Sequence, residues 1–218
     1  MKLISVNLGK EQVVLKAKKS ELSGIYKNPV SQAVQVKTLG LEGDTICDVE
    51  NHGGPDQAVY VYGEPDYAWW SLELGRVVAP GAFGENLTIA GLESAQYTIG
   101  DRLQVGPVIL EVTAPRIPCS TLAARMGDPA FVKRFRQAER PGLYCRVIQE
   151  GAVRVGDEVR RLPHIGPSVT LLEMFRDYYE PHPSEETLRR YLAAPIAVRS
   201  RVENVEKLQK LLNEKNGG

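Results

Sequence analysis

The residue with the most chemical potential is Cys119, in the run Pro115-Arg116-Ile117-Pro118-Cys119-Ser120-Thr121. There the apolar stretch VILEVTA ends and a short helix over Ser120–Met126 is expected to open. A cysteine at a helix N-terminus meets unpaired backbone N–H groups and the positive end of the helix dipole. Arg116, three residues upstream, adds a positive charge. Both favour the thiolate, the form that ligates metals and attacks electrophiles. A lone cysteine can equally be a buried, inert thiol, and the local residues leave both readings open. Cys145, inside LYCRVI, reads as core. Cys47 precedes His52 by five residues, but two ligands without a third fall short of a zinc site.

His52-Gly53-Gly54 offers a second kind of chemistry. Paired glycines let a backbone turn tightly and approach a ligand with its N–H groups, although an ordinary turn would use the same residues. Gly84-Glu85-Asn86 precedes the strand LTIA, and Asn86 brings both a donor and an acceptor.

The elements that must position these groups are mostly strands. Expected strands are Lys2–Leu8, Gln12–Ala17, Ala33–Thr38, Ala58–Tyr62, Arg102–Val105, Val108–Thr113, Leu143–Gln149 and Glu158–Leu162, separated by Gly, Pro, Asn and Asp turns. Such strands without regular intervening helices suggest a β-barrel or sandwich, a mainly β fold with short helices, rather than a parallel α/β sheet. TIGDRLQVG at 98–106 and RVGDEVRRL at 154–162 echo each other, with Gly and Asp as turn chemistry before a strand. Helices are expected at Glu64–Leu74, with Tyr67, Trp70 and Leu74 on one face, and at Pro129–Ala138, with Asp128 as its cap.

After Pro163–Pro167 the pattern turns helical, which divides the chain into a β domain over residues 1–163 and a three-helix unit over 168–214. The helices fall at about 170–180, 185–194 and 201–213, with capping-box spacing at Thr170/Glu173 and Ser200/Glu203. The last carries Val202, Val205, Leu208 and Leu211 as an apolar stripe. So small a unit buries little alone and should dock on the β domain or on a second subunit, as in a homodimer.

Composition narrows the class. Of 218 residues, 43% are hydrophobic and 25% charged, as in a globular domain, and 27 basic residues balance 27 acidic ones. That balance argues against nucleic acid and anionic membrane as partners. No apolar run has the length of a signal peptide core or a membrane span, and three widely spaced cysteines make no disulfide framework. A cytoplasmic location is the resulting expectation.

Taken together and in order, the segments VSQAVQVKTLGLEGDTICD (30–48), HGGPDQAVYVY (52–62), PGAFGENLTIAGL (80–92), IGDRLQVG (99–106), APRIPCSTL (114–122) and GLYCRVIQEGAVRVGDEV (142–159) resemble the MOSC domain, in its bacterial YiiM-type branch. The resemblance covers nearly all of residues 1–163, and the tail is similar to the small three-helix domain of that branch. It implies a MOSC β-barrel whose cleft holds the molybdenum cofactor (Mo-molybdopterin) through a dithiolene and one protein cysteine, here Cys119. It implies reduction of N-hydroxylated small molecules such as 6-hydroxylaminopurine, with electrons from a separate reductase protein. Lys27, in SGIYKNPV, and Arg116 are then the candidates for the cofactor's phosphate, and His52 and Asn86 for the cleft wall or the pterin edge. One departure stands out. The branch often has an aromatic and a basic residue after the cysteine, whereas Ser120 and Thr121 follow it here, which leaves the substrate open. A cofactor carrier or sulfur-transfer module would use the same cysteine, and a cofactor-free thiol enzyme would pair Cys119 with His52.

Overall fold

Period-two stretches pair into a sheet because one face of each strand is apolar and must be covered. The computed structural model describes residues 1–15, 20–180 and 182–216. The chain opens with β1 (Lys2–Gly9), β2 (Gln12–Leu15), β3 (Ser20–Ser23), β4 (Lys27–Val30), β5 (Val34–Lys37) and β6 (Gly40–Leu41). Helix α1 (Val49–His52) and a 3-10 turn (Pro55–Gln57) lead into β7 (Val59–Gly63), α2 (Glu64–Leu74) and β8 (Leu87–Ala90). Next come β9 (Arg102–Val105), β10 (Val108–Pro115), α3 (Ser120–Met126), α4 (Phe131–Ala138), β11 (Leu143–Gln149), β12 (Gly151–Val153) and β13 (Val159–Leu162). Helices α5 (Leu171–Asp177), α6 (Glu185–Ala193) and α7 (Val198–Asn216) finish the chain.

Eight strands form one sheet in the order β13-β9-β10-β11-β7-β8-β1-β4, while β12-β5-β6 and β2-β3 pair separately. The expectation of a β-barrel needs correction: the large sheet has β13 and β4 as edges and does not close. An isolated bridge, Lys2 to Glu158, and three backbone hydrogen bonds between residues 1–3 and 156–159 link the start of the chain to the segment that leads into β13, without making a ladder. Closure needs a continuous ladder. Here β1 divides its pairing, with β8 along Lys2–Val6 and with β4 along Val6–Gly9, and no ladder to β13 forms beside it. A second difference is a parallel pair, β7 with β8, joined through α2, within an otherwise antiparallel sheet. Of the expected strand Gln12–Ala17, the part beyond Leu15 lies outside the described residues.

The two echoing segments lie side by side, since β9 and β13 pair antiparallel from Val105↔Val159. Their turns are built alike. Asp101 accepts from the Thr98 N–H at 3.0 Å and Asp157 from the Arg154 N–H at 2.9 Å. Asp128 does bond into the start of α4, accepting the Ala130 N–H at 2.8 Å, two residues short of a regular cap.

The three C-terminal helices are present but share the core of the sheet. Val169, Leu171, Tyr191, Ala194 and Ile196 pack with Leu103, Leu110 and Val112, and Phe175 joins a separate aromatic cluster. Thr170 caps α5 by accepting the Glu173 N–H at 3.1 Å. Ser200 caps nothing, because α7 already begins at Val198. The stripe read on α7 also differs: Val202 and Val205 are exposed, and the inward face carries Asn204 with Leu208 and Leu211. Arg201 explains this orientation, as its guanidinium donates to the carbonyls of Leu192 and Ala194 at the end of α6. Those orphan carbonyls take precedence over exposed valines.

Candidate functional site

Cys119 sits where β10 has run out and α3 begins, as the extended N-cap residue of that helix. Its thiol is pulled two ways. Burial pushes it up, but a hydrogen bond from His52, the charge of Arg116 and the Leu122 N–H together bring it down to about 5. The reading of Cys119 as a thiolate thus stands on three separate groups. Cys145, fully buried in β11, is the opposite case, with burial holding its thiol up. Cys47 lines the same cavity as Cys119, yet burial and Glu11 raise its thiol rather than lower it. Among the described residues no group of three or more His, Cys, Asp or Glu side chains could hold a metal ion on its own.

Two adjoining cavities meet at Cys119. The inner one, about 90 Å³, brings Lys27, His52, Asn86 and Arg116 to the same hollow as Cys119. The outer one, about 540 Å³, is walled by the Pro115–Thr121 segment and by α5 and α7. Glu21, Asp48, His52, Gln57, Cys119, Thr121 and Tyr144 belong to both.

Each side chain has a structural reason for its place. His52 ends α1, and its Nδ1 lies 3.3 Å from the Tyr144 hydroxyl. Gly53 and Gly54 line neither cavity, contrary to the expectation that their N–H groups face a ligand. The Gly53 N–H is spent on the Val49 carbonyl at 3.2 Å, and Gly54, at φ +88°, turns the chain into Pro55. Arg116 is buried, donates to the Phe83 carbonyl and lies 5.0 Å from the Tyr60 ring centroid. Its Nε has no partner among the described residues. Gly84 makes room beside it: at φ +77°, a Cβ there would lie 2.9 Å from Ile25 Cγ1.

Lys27 and Asn86 converge on a residue that the sequence reading missed. Asp44 receives Lys27 Nζ at 2.6 Å, Asn86 Nδ2 at 2.8 Å and the Gly9 N–H at 2.7 Å. Burial lowers the Lys27 ammonium, and Asp44 pulls it back toward the charged form. Both partners are nearly inaccessible, at 7% and 4% exposed, so the pair is a desolvated one. Asn86 Oδ1 also accepts the Tyr60 N–H at 3.1 Å, which ties β7 to the GEN turn. Tyr144 was missed as well. With Cys145 placed in the core, strand alternation puts Tyr144 on the opposite face, a signal present in the sequence. Beneath the site, Tyr62, Tyr67, Trp70, Phe83, Phe131 and Phe135 form a continuous aromatic base.

The comparisons with known proteins bear on the family and the fold. A family model described as the MOSC domain matches residues 48–160. The chain is 39% identical over 160 residues to the Bacillus subtilis protein YflK, covering 73% of this chain and 72% of that one. It is 32% identical over 154 residues to Escherichia coli YiiM, covering 69% and 67%. A Gibberella moniliformis protein named Reductase is 32% identical over 158 residues, which are 71% of this chain but 28% of the fungal one. The crystal structure of YiiM from Geobacillus stearothermophilus superposes with a TM-score of 0.78 at 26% identity, covering 95% of this chain and 98% of that one. No helix among the described residues is long and apolar enough to cross a membrane.

Proposed function

The chain belongs to the MOSC-domain family, in its YiiM-type branch, and from that premise we propose that it is a molybdenum cofactor-dependent reductase of N-hydroxylated compounds such as 6-hydroxylaminopurine. The single observation that carries this reading is Cys119, a thiolate at about 5 at the junction of two cavities. A MOSC domain is a molybdenum cofactor-binding type of domain, and the residues present fit that group. A thiolate is the ligand a soft, high-valent metal prefers, and the buried Arg116 keeps an unspent Nε for an anionic end.

In this reading the cofactor supplies the two-electron redox chemistry, with electrons from a separate reductase protein. The overall change is R–NHOH + 2 e⁻ + 2 H⁺ → R–NH2 + H2O, in which the N–O bond breaks and a water leaves. Cys119 holds the metal. His52, bonded to both Cys119 and Tyr144, orients the thiolate. Arg116 keeps positive charge behind the sulfur. Lys27 and Asn86 shape the polar floor through Asp44, so Lys27 meets a cofactor phosphate as half of an ion pair, not as a bare cation. Burial holds the Tyr144 phenol protonated, so it remains a donor at neutral pH.

The test is turnover. Cofactor-loaded protein given a reduced viologen dye should convert 6-hydroxylaminopurine to adenine. NADPH alone should not support this, and NADPH with a flavoprotein reductase should. Loaded protein that fails with dye across several N-hydroxylated substrates would leave a cofactor carrier or sulfur-transfer module as the better account.

A further inference from the structure

Two side-chain amides border the inner hollow, and they differ in what they are bonded to. Asn86 is spent, since Nδ2 donates to Asp44 at 2.8 Å and Oδ1 accepts the Tyr60 N–H at 3.1 Å. The Gln57 oxygen, Oε1, is buried and has no hydrogen-bond partner among the described residues. Buried amide oxygens are nearly always satisfied, because the water lost on burial has to be replaced by another donor. The turn that carries Gln57 is held firmly. Its N–H donates to the Gly54 carbonyl at 3.1 Å, and the neighbouring Asp56 takes the Val198 N–H at 2.6 Å and pairs with Arg146 at 3.0 Å. Gln57 also borders the outer cavity, as Cys119 does, so it stands where the two spaces meet. An unmatched acceptor on a fixed turn at that junction calls for a donor from a bound molecule.

Resting on the reductase reading above, we propose that Gln57 is a substrate-binding residue whose Oε1 accepts the hydrogen on the reacting nitrogen of R–NHOH. The N–O bond that breaks has to lie beside Cys119, so the reacting nitrogen sits at the junction and the ring extends into the outer cavity. There Ile117, Pro118, Met174 and Tyr178 offer the ring apolar and aromatic surface. The consequence is a choice among N-hydroxylated compounds. A primary hydroxylamine satisfies the Gln57 oxygen. An N,N-disubstituted one sets carbon against it and leaves it without that donor, a loss that sites built around a hydrogen bond penalise strongly. The product amine keeps its N–H, so the same hydrogen bond can be read without turnover.

Adenine and purine differ by one exocyclic amino group, and the experiment compares their binding by calorimetry to cofactor-loaded parent and Gln57→Met proteins. The parent should bind adenine about tenfold more tightly than purine, the size of one net hydrogen bond, and Gln57→Met should bring the two within about twofold. Thermal unfolding of the cofactor-free proteins is the control. Methionine nearly matches glutamine in volume and removes an unmatched acceptor, so the midpoint should stay level or rise. A lower midpoint would assign the amide to the fold and overturn the proposal. Equal binding of adenine and purine in the parent, no binding of either, or a preference that Gln57→Met leaves in place would overturn it as well. Turnover of 6-hydroxylaminopurine with reduced dye is scored separately. No turnover, together with an adenine preference that depends on Gln57, would fail the reductase reading and uphold the Gln57 site.

Discussion

Replacing His52 with alanine should raise the Cys119 thiol without unfolding the protein. The parent thiol stands at about 5 because His52, Arg116 and the Leu122 N–H together outweigh burial. His52→Ala removes the first of these and leaves the other two. A hydrogen bond to a charged group is worth about 1.5–3 kcal/mol, and one pH unit of titration is about 1.36 kcal/mol. The midpoint should therefore climb by roughly 1–2 pH units. The direction follows from the form that reacts. Only the thiolate is alkylated, so the rate rises with pH through the midpoint and then levels off. The assay is iodoacetamide labelling against pH in a Cys47→Ala background, where Cys145, being fully buried, does not interfere. The parent curve should be half-maximal near pH 5. A parent midpoint in the ordinary thiol range, or one that His52→Ala leaves in place, would refute the reasoning.

Lys27→Ala should lower unfolding free energy by about 3 kcal/mol in urea titration, because Asp44 stays buried without its cation, and Lys27→Ala with Asp44→Ala should recover part of it. Gly142→Ala should cost about 1–3 kcal/mol or more, since Gly142 has φ +69° and a Cβ there would lie 2.6 Å from Tyr60 and 2.7 Å from Tyr62; an unchanged thermal midpoint would contradict it. Truncation after Gly166 should leave a chain without a cooperative unfolding transition, as it strips Val169, Leu171, Tyr191 and Ile196 from the main core; a soluble, cooperatively folded product would show that the helices merely cover it.

Much of the site was legible because it rests on local signals. An apolar strand ending at Pro-Cys-Ser announces a helix N-terminus, and α3 and α2 fall on the residues expected of them. Lys27, His52, Asn86 and Arg116 do reach one hollow with Cys119, although they come from widely separated segments and only the family resemblance tied them together. Asp44 was hidden for a physical reason. In GLEGDT it looks like a turn residue, and its partner Lys27 lies 17 positions earlier, a pairing that no periodicity encodes. Sheet closure was equally out of reach, because alternation fixes which face of a strand is buried but not which strand it pairs with. On α7, valine spacing suggested a buried stripe, yet the carbonyls at the end of α6 claimed Arg201 and turned the helix.

The central claim is that Cys119 holds the molybdenum centre, and metal content tests it most directly. Parent, Cys119→Ala, Cys47→Ala and Cys145→Ser proteins would be purified from a host that makes the cofactor and analysed by mass spectrometry. Near-stoichiometric molybdenum in all but Cys119→Ala is the predicted result, with that variant still folded. Equal molybdenum in Cys119→Ala and the parent would contradict the account.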